Sequence, residues 1–317
     1  MPERLRIVFL GSGAFAVPSL EALFDAGHEL ACVVTQPDRR RGRGQSLGSP
    51  PVKLVAQERR LLLLQPLRVR EPDAQAALRD LAPDLQVVVA YGQILPRSVI
   101  DLARLGTVNV HASLLPSFRG AAPIQWAIAR GETETGVSTM QIDEGLDTGP
   151  VLLQRATPIG RDETAADLEP RLAGLGAQVL LETVRGLEAG ELRPTPQDHE
   201  RATLAPLLKK EDGRLDWSRR AQELDCRVRG FQPWPGSFFP LEGRGTVKVL
   251  AARALDGESA DERAPGRLLD VGSEGLQVAC GAGSRLLVTS VQPESRRPMS
   301  AAAFAAGARL RPGLDLG

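Results

Sequence analysis

The sequence has few residues of several reactive types, and each shortage excludes a class of protein. Its 317 residues include three cysteines, Cys32, Cys226 and Cys280, which lie far apart in the chain. An odd number at such spacing argues against a disulfide framework and a cysteine metal site. With three histidines and no cysteine pair, we expect no bound metal ion. Reduced thiols indicate a cytoplasmic protein.

Long apolar runs and an excess of one charge are also absent. The densest apolar patch, at 61–64, is far shorter than the roughly 20 residues that span a bilayer. No basic segment followed by a long apolar stretch opens the chain, so we expect no signal peptide. The 39 positive and 39 negative side chains cancel. A nucleic-acid interface would therefore have to be a local basic patch.

The first half of the chain alternates apolar runs with helical patterns. The runs typical of strands covered on both faces lie at 5–10, 30–35, 85–90 and 107–111. Helical spacing separates them at 17–26, 52–60 and 74–81, and an arginine-rich loop occupies 36–51. Repeated βα units predict a doubly wound, Rossmann-like parallel sheet. Ligands of such sheets bind beyond the carboxyl ends of the strands, so functional residues should follow positions 90 and 110.

The last third of the chain has a different pattern. Residues 164–187 favour a long closing helix, and the polar, proline-containing stretch 189–206 is typical of a linker. Short β-like runs separated by glycine turns then predict a small β-barrel or sandwich. We therefore predict a catalytic domain at 1–189, a linker at 190–208 and a second domain at 209–317.

Two segments place reactive side chains where a parallel sheet would put its site. Asn109 and His111 point the same way at the end of a strand, because strand side chains alternate. Asp147 lies downstream in an acidic loop bounded by glycines. An Asn donor for an oxyanion, a His that moves a proton and an Asp that orients it suit acyl transfer. Taken singly, a His at a strand end is more often structural, and an Asp in a glycine loop is usually a turn residue.

Other features have simpler interpretations. The glycines at 11–16 satisfy a dinucleotide fingerprint, but the absence of a well-placed acidic partner favours a tight turn. Ser113 lacks the nucleophile elbow of a serine hydrolase. For Trp217 and Trp234 we favour anchoring of the C-terminal domain, with stacking on RNA as the alternative.

The motifs together resemble a known family. Asn109-Val-His-Ala-Ser-Leu-Leu-Pro116, the segments 90–96 and 119–124 and the loop 145–149 are similar to the 10-formyltetrahydrofolate-dependent formyltransferases. The segments 35–53, 210–217 and 233–235 resemble the members that act on methionyl-tRNA. The resemblance covers essentially the whole chain.

The resemblance implies roles for named residues. The catalytic residues would be Asn109, His111 and Asp147. Residues of one loop would hold the tetrahydrofolate: Ser113, Leu114, Leu115 and Pro116. Basic residues would contact the tRNA: Arg40, Arg41, Arg43 and Lys210. Arg40 and Arg41 stand where the family usually has Pro-Ala.

The same resemblance implies the activity and the partners. The chain would transfer the formyl group of 10-formyltetrahydrofolate to the α-amine of methionyl initiator tRNA and so support translation initiation. The C-terminal domain would be an OB-like barrel with further tRNA contacts. We expect a cytoplasmic monomer without a DNA or membrane partner. The alternatives are a formyltransferase for amino-sugar nucleotides, a formyltetrahydrofolate hydrolase and a catalytically silent RNA-binding protein.

Overall fold

The computed structural model describes residues 4–41, 46–255 and 264–317. The chain divides into two compact units. The first comprises Met1–Gly120, Thr135–Pro158 and Glu169–Leu204, and the second comprises Ala121–Glu134, Ile159–Leu168 and Ala205–Gly317. The division of the sequence at 189 and 208 remains a prediction.

A seven-stranded sheet forms the core of the first unit. Its strands and the two strands of a separate hairpin are, in chain order, β1 (Arg6–Gly11), β2 (Glu29–Val34), β3 (Arg39–Arg41), β4 (Ser46–Gly48), β5 (Leu63–Leu64), β6 (Leu85–Val89), β7 (Thr107–His111), β8 (Glu134–Gln141) and β9 (Val151–Pro158). The order in the sheet is β5-β2-β1-β6-β7-β8-β9. The strands β5, β2, β1, β6 and β7 pair in parallel, which confirms the predicted α/β sheet.

Helices cover both faces of this sheet. They are α1 (Val17–Asp25), α2 (Pro51–Glu58), α3 (Pro72–Asp80), α4 (Arg97–Ile100) and α6 (Ala165–Glu188), while α5 (Pro123–Ala129) belongs to the second unit. One face contributes Val88 to a buried cluster that includes residues of α3 and α4. The pairing of Val88 with Asn109 puts Asn109 on that face. Val110 points the opposite way, toward Gly176 of α6.

The prediction for the first half of the chain was wrong in two places, at 134–141 and at 36–51. β8 is antiparallel to β7, so the sheet is mixed. No strand is predicted at 134–141, because the buried residues of β8 include Thr135, Ser138 and Thr139 rather than an apolar run. The predicted loop at 36–51 also contains the hairpin in which Arg39 of β3 pairs with Gly48 of β4.

The second unit contains an antiparallel sheet with helices. Its elements are α7 (Ala221–Gly230), β10 (Ser237–Leu241), β11 (Gly245–Leu255), β12 (Leu268–Gly272), β13 (Gly275–Ala279), β14 (Arg285–Pro293), β15 (Met299–Ser300) and α8 (Ala301–Ala308). The strand order is β10-β11-β14-β13-β12, with β15 on β14. Among the described residues β10 and β12 do not pair, so the antiparallel sheet is confirmed but the barrel does not close.

The two tryptophans of this unit's C-terminal part differ in burial. Trp217 is 3% exposed, and its ring lies 5.8 Å from that of Phe239 in the core, which confirms the anchoring interpretation. Trp234 is 58% exposed, so the same interpretation was wrong for Trp234. Among the described helices, none combines the length and the apolar character needed to cross a membrane.

Candidate active site

The end of β7 holds the predicted histidine in a defined orientation. β7 runs from Thr107 to His111, as predicted, and His111 is 6% exposed. Its Nε2 lies 2.9 Å from the carbonyl oxygen of Phe118. A carbonyl oxygen only accepts hydrogen bonds, so Nε2 carries the proton in the neutral ring. Nδ1 is then the position that can take up a further proton.

The loop between β8 and β9 brings Asp147 to that Nδ1. Oδ2 of Asp147 lies 3.7 Å from Nδ1 of His111, and the Asp147 side chain is 16% exposed. The same oxygen accepts a hydrogen bond of 2.7 Å from the backbone N–H of Gly120. A protonated His111 would therefore face a carboxylate already fixed in position. The structure thus brings His111 and Asp147 together, as the sequence predicts.

The loop reaches this position through an unusual backbone. Asp147 has φ of 51°, in the left-handed region. A Cβ on Gly149 would lie 1.9 Å from the carbonyl oxygen of Gln141, so only glycine fits there. Oδ1 of Asp143 accepts hydrogen bonds from the Gly145 N–H (3.0 Å) and the Thr148 hydroxyl (2.7 Å). The loop is therefore held by its own hydrogen bonds.

Two further buried residues, Gln197 and Arg119, help to hold the loop of Asp147. The sequence predicts no role for either of them. The side-chain amide of Gln197 donates to the carbonyl oxygens of Asp147 (2.9 Å) and Gly149 (2.6 Å). Its own carbonyl oxygen accepts from Arg119 Nη2 at 2.7 Å. Arg119 lies in a motif of the resemblance, but Gln197 lies in the stretch interpreted as a linker. No local pattern marks Gln197, because its contacts are remote in sequence.

The loop after β7 holds the residues predicted to bind the folate. The hydroxyl of Ser113 is fully buried and donates to the carbonyl oxygen of Ser117 at 2.5 Å. Ser138 Oγ donates to the Ser113 carbonyl oxygen and accepts from the Leu115 N–H. Leu114 and Pro116 are half-buried. The polar groups of Ser113 thus hold the loop, and contact of the four residues with folate stays a prediction.

A cleft opens beside the loop that follows β6. It has a volume of about 480 Å³ and is lined by Gln36, Arg39, Leu67, Arg68, Arg70, Gly92, Gln93, Ile94 and Pro96. The volume is in the range of small-molecule sites. Gln36 donates to the Tyr91 carbonyl oxygen and accepts from Arg39 Nη2 at 2.8 Å. The cleft is therefore positively charged, with apolar as well as polar side chains in its lining, and it lies at the edge where β6 and β7 end.

The residues predicted to contact tRNA are spread over both units. Arg40 and Arg41 lie in β3, and Arg43 lies outside the described residues. Lys210 is exposed and begins the short helical turn Lys210–Gly213 of the second unit. Just before β3, Asp38 forms an ion pair of 2.7 Å with Lys53 of α2. The hydrogen bond from Lys53 lowers the pKa of Asp38 below its ordinary value.

A metal centre is not part of the described site. Within residues 4–41, 46–255 and 264–317, no three His, Cys, Asp or Glu side chains gather in a group that could hold a metal ion.

Comparisons with known proteins identify the family of this chain. Residues 5–184 match the family described as formyl transferase, and residues 207–309 match the formyl transferase C-terminal domain. The methionyl-tRNA formyltransferase of Anaeromyxobacter dehalogenans is 56% identical over 96% of this chain and 97% of its own length. That of Geobacter sulfurreducens is 50% identical over 99% and 97%.

A solved structure shares the fold. HypX from Aquifex aeolicus, in complex with tetrahydrofolic acid, has a TM-score of 0.62 and 20% identity, over 96% of this chain and 47% of HypX. The family models cover both units, and the identity to the two relatives extends over nearly the full length. The resemblance seen in the motifs is thereby confirmed, and the chain belongs to the formyl transferase family.

Proposed function

We propose that this chain transfers the formyl group of 10-formyltetrahydrofolate to the α-amino group of methionyl initiator tRNA, and so supports translation initiation in the cytoplasm. One observation carries the proposal: relatives about half identical over nearly all of both chains are methionyl-tRNA formyltransferases. The approach of His111 to Asp147 supports it, because the site then contains a proton carrier beside a fixed carboxylate.

The proposed chemistry is an attack of the amine nitrogen on the formyl carbon. The free α-amine has a reference pKa of about 7.7–8.0, so a large share is neutral near pH 7.5. A nitrogen–carbon bond forms to the amine, the bond between the formyl carbon and N10 breaks, and one proton passes from the amine to N10. The enzyme then has to orient the groups and stabilise charge.

We assign one task to each of three residues. Asn109, half-exposed at the end of β7, donates its side-chain N–H to the formyl oxygen as that oxygen becomes negative. His111 accepts the amine proton at Nδ1, since Nε2 is committed to Phe118. Asp147 stabilises the resulting imidazolium and holds the ring while the proton passes on to N10.

The residues present suit a folate donor, which supplies the activated formyl group. The arginine-lined cleft matches an anionic molecule of that size, and it lies at the same sheet edge as Asn109. Ser113, Leu114, Leu115 and Pro116 lie in the loop that follows β7. We propose that the backbone of this loop and the half-buried side chains of Leu114 and Pro116 contact the donor.

The proposed tRNA contacts rest on the positive charge of four side chains. Arg40, Arg41 and Arg43 follow Asp38, whose pair with Lys53 attaches this part of the chain to α2. Arginine forks suit phosphate oxygens, and Lys210 adds a cation in the second unit. We also propose that the antiparallel sheet has the partly open form of an OB-like barrel, that domains lie at 1–189 and 209–317 with a linker at 190–208, and that the protein is a monomer.

Labelled formyl transfer tests this function. 10-Formyltetrahydrofolate with a labelled formyl group is the donor. Charged initiator tRNA, charged elongator tRNA and an amino-sugar nucleotide are offered as acceptors in parallel reactions. Label on methionyl initiator tRNA alone is the expected result. Label on the sugar nucleotide would move the chain to another branch of the family. Release of formate with no acceptor labelled would indicate a hydrolase.

A further inference from the structure

Trp234 presents its indole to solvent. It is 58% exposed, whereas Trp217 is 3% exposed and Trp126 packs edge-on against Phe231. These are all three tryptophans of the chain, and all lie in its described part. Burial of the indole against a ligand would be favourable, and its N–H remains a polar group at the surface.

The turn that carries Trp234 is fixed to the core of its unit. The Gly236 N–H donates to the carbonyl oxygen of Phe231 at 2.8 Å, and Phe231 is fully buried. The side-chain amide of Gln232 donates to the carbonyl oxygen of Leu250 at 2.6 Å. The exposed indole is therefore held by an anchored backbone, which lowers the entropy lost when a ligand stacks on it.

A row of basic and aromatic side chains begins four residues after Trp234. Arg214 forms a bridge with Phe238 of β10, and Phe238 pairs with Lys248 of β11. Paired residues project from the same face of a sheet. Phe238 is half-buried, and Arg214 and Lys248 are exposed. The neighbours that point inward, Phe239, Val247 and Val249, are at most 1% exposed.

The charges of this row are available to a ligand. Among the described side chains, no carboxylate forms an ion pair with Arg214 or Lys248, whereas nearby Arg219 is paired with Glu223. The Asp212 carboxylate is engaged as an acceptor for the Lys209 N–H at 2.7 Å. Gly213 lies directly against Gly236, where a Cβ would be 2.0 Å from the carbonyl oxygen, so the turn starting at Lys210 adjoins that of Trp234.

We propose that these residues, the Trp234 patch (Trp234, Phe238, Arg214 and Lys248), bind an unpaired stretch of RNA. One base stacks on the indole, and Arg214 and Lys248 bind the flanking phosphates. A stacking face requires a base free of the duplex, and basic grooves with exposed aromatics are typical of single-strand binding. The proposal rests on the proposed function for the identity of the RNA as the tRNA substrate.

Kinetics with the full chain test the role of the indole. Trp234→Ala should raise the KM for methionyl-tRNA about tenfold or more, because each stacked base contributes strongly to affinity. The kcat and the KM for the folate donor should not change. Trp234→Phe should keep most of the affinity, and Leu314→Ala, at another exposed apolar residue of the unit, should have no effect. An unchanged KM for methionyl-tRNA in Trp234→Ala would overturn the proposal.

Fluorescence tests the patch without the reaction. A short unpaired oligoribonucleotide should quench the tryptophan fluorescence of the full chain, and Trp234→Phe should abolish the quenching. Arg214→Gln and Lys248→Gln should each reduce the salt slope of binding by about 0.7. Equal quenching by a blunt duplex would overturn the single-strand assignment. If methionyl-tRNA is not formylated but the oligoribonucleotide still quenches, the proposed function fails and the patch stands.

Discussion

The side chain of Gln197 holds the backbone of Asp147, from 50 positions away in the sequence. Its amide N–H groups donate to the carbonyl oxygens of Asp147 and Gly149, at 2.9 and 2.6 Å. Its carbonyl oxygen faces Arg119, which fixes the amide orientation because the guanidinium only donates. The position of the Asp147 carboxylate therefore depends on a buried residue outside the Asn-His-Asp set.

Substitution of Gln197 by Ala should impair activity and stability together. It leaves two buried carbonyl oxygens without their donor and removes one partner of Arg119, which keeps its contact with His199 at 3.2 Å. An unpaired buried polar group costs about 1–3 kcal/mol. We expect a lower Tm and a fall in kcat of about tenfold or more, because a displaced Asp147 no longer supports His111. Calorimetry and steady-state kinetics measure both.

The control for this variant is Gln75→Ala. Gln75 is in α3 and half-buried, and its amide donates to the Arg70 carbonyl oxygen in an exposed bond. It should leave kcat unchanged. If Gln197→Ala keeps wild-type kcat after its loss of stability is allowed for, the link from Gln197 to Asp147 has no catalytic consequence.

The sequence predicts the part of the site that lies on a strand. The apolar run of β7 places Asn109 and His111 on one face, and the motif leads to Asp147. The sequence does not predict Gln197, because its partners, Asp147 and Arg119, are distant in the chain. It does not predict β8 either, because the buried hydroxyls of Ser138 and Thr139 form hydrogen bonds with residues that are distant in the sequence. Local patterns thus reveal the reacting groups, and tertiary contacts decide what supports them.

Substitution of Asn109 or His111 by Ala should slow the chemical step. Loss of an oxyanion donor typically costs about 10²–10³ in rate, and loss of a proton carrier about 10²–10⁴. Rapid-quench measurement of formyl transfer with both substrates saturating isolates this step. Gln75→Ala serves again as the control, since the Gln75 amide makes an exposed hydrogen bond to the Arg70 carbonyl oxygen. A chemical step within a few-fold of wild type in either alanine variant would contradict the assignment.

Gly149→Ala should disrupt the loop of Asp147, whereas Gly174→Ala should be harmless. A Cβ at Gly149 would meet the Gln141 carbonyl oxygen at 1.9 Å, so the backbone has to move. Gly174 lies within α6 with nothing within 4 Å of its Cβ position. Alanine there should stabilise the protein by roughly 0.5–1 kcal/mol, as alanine does in helices. The two variants are compared by Tm and kcat, and equal activity in both would show that the loop tolerates displacement.

Asp38 should make the stability of the first unit depend on pH. The hydrogen bonds from Lys53 and Gln65 lower its pKa below the ordinary value of 3.8. The unfolded chain therefore binds a proton more readily than the folded one, and stability increases with pH through this range. The contribution of Asp38 is complete well above pH 3.8 and is lost as the pH falls through the lower, folded-state pKa.

Asp38→Asn should consequently lower the Tm at pH 7 and have a smaller effect below pH 3.8, because the carboxyl of the unfolded chain is protonated there and part of the contribution of Asp38 is already lost. Asp101→Asn is the control, because Asp101 forms an exposed ion pair with Arg97, and such pairs contribute little. If Asp38→Asn lowers the Tm equally at both pH values, the charge of Asp38 is not what attaches β3 to α2. A selective loss at neutral pH would mean that the segment with Arg40 and Arg41 is held by this ion pair.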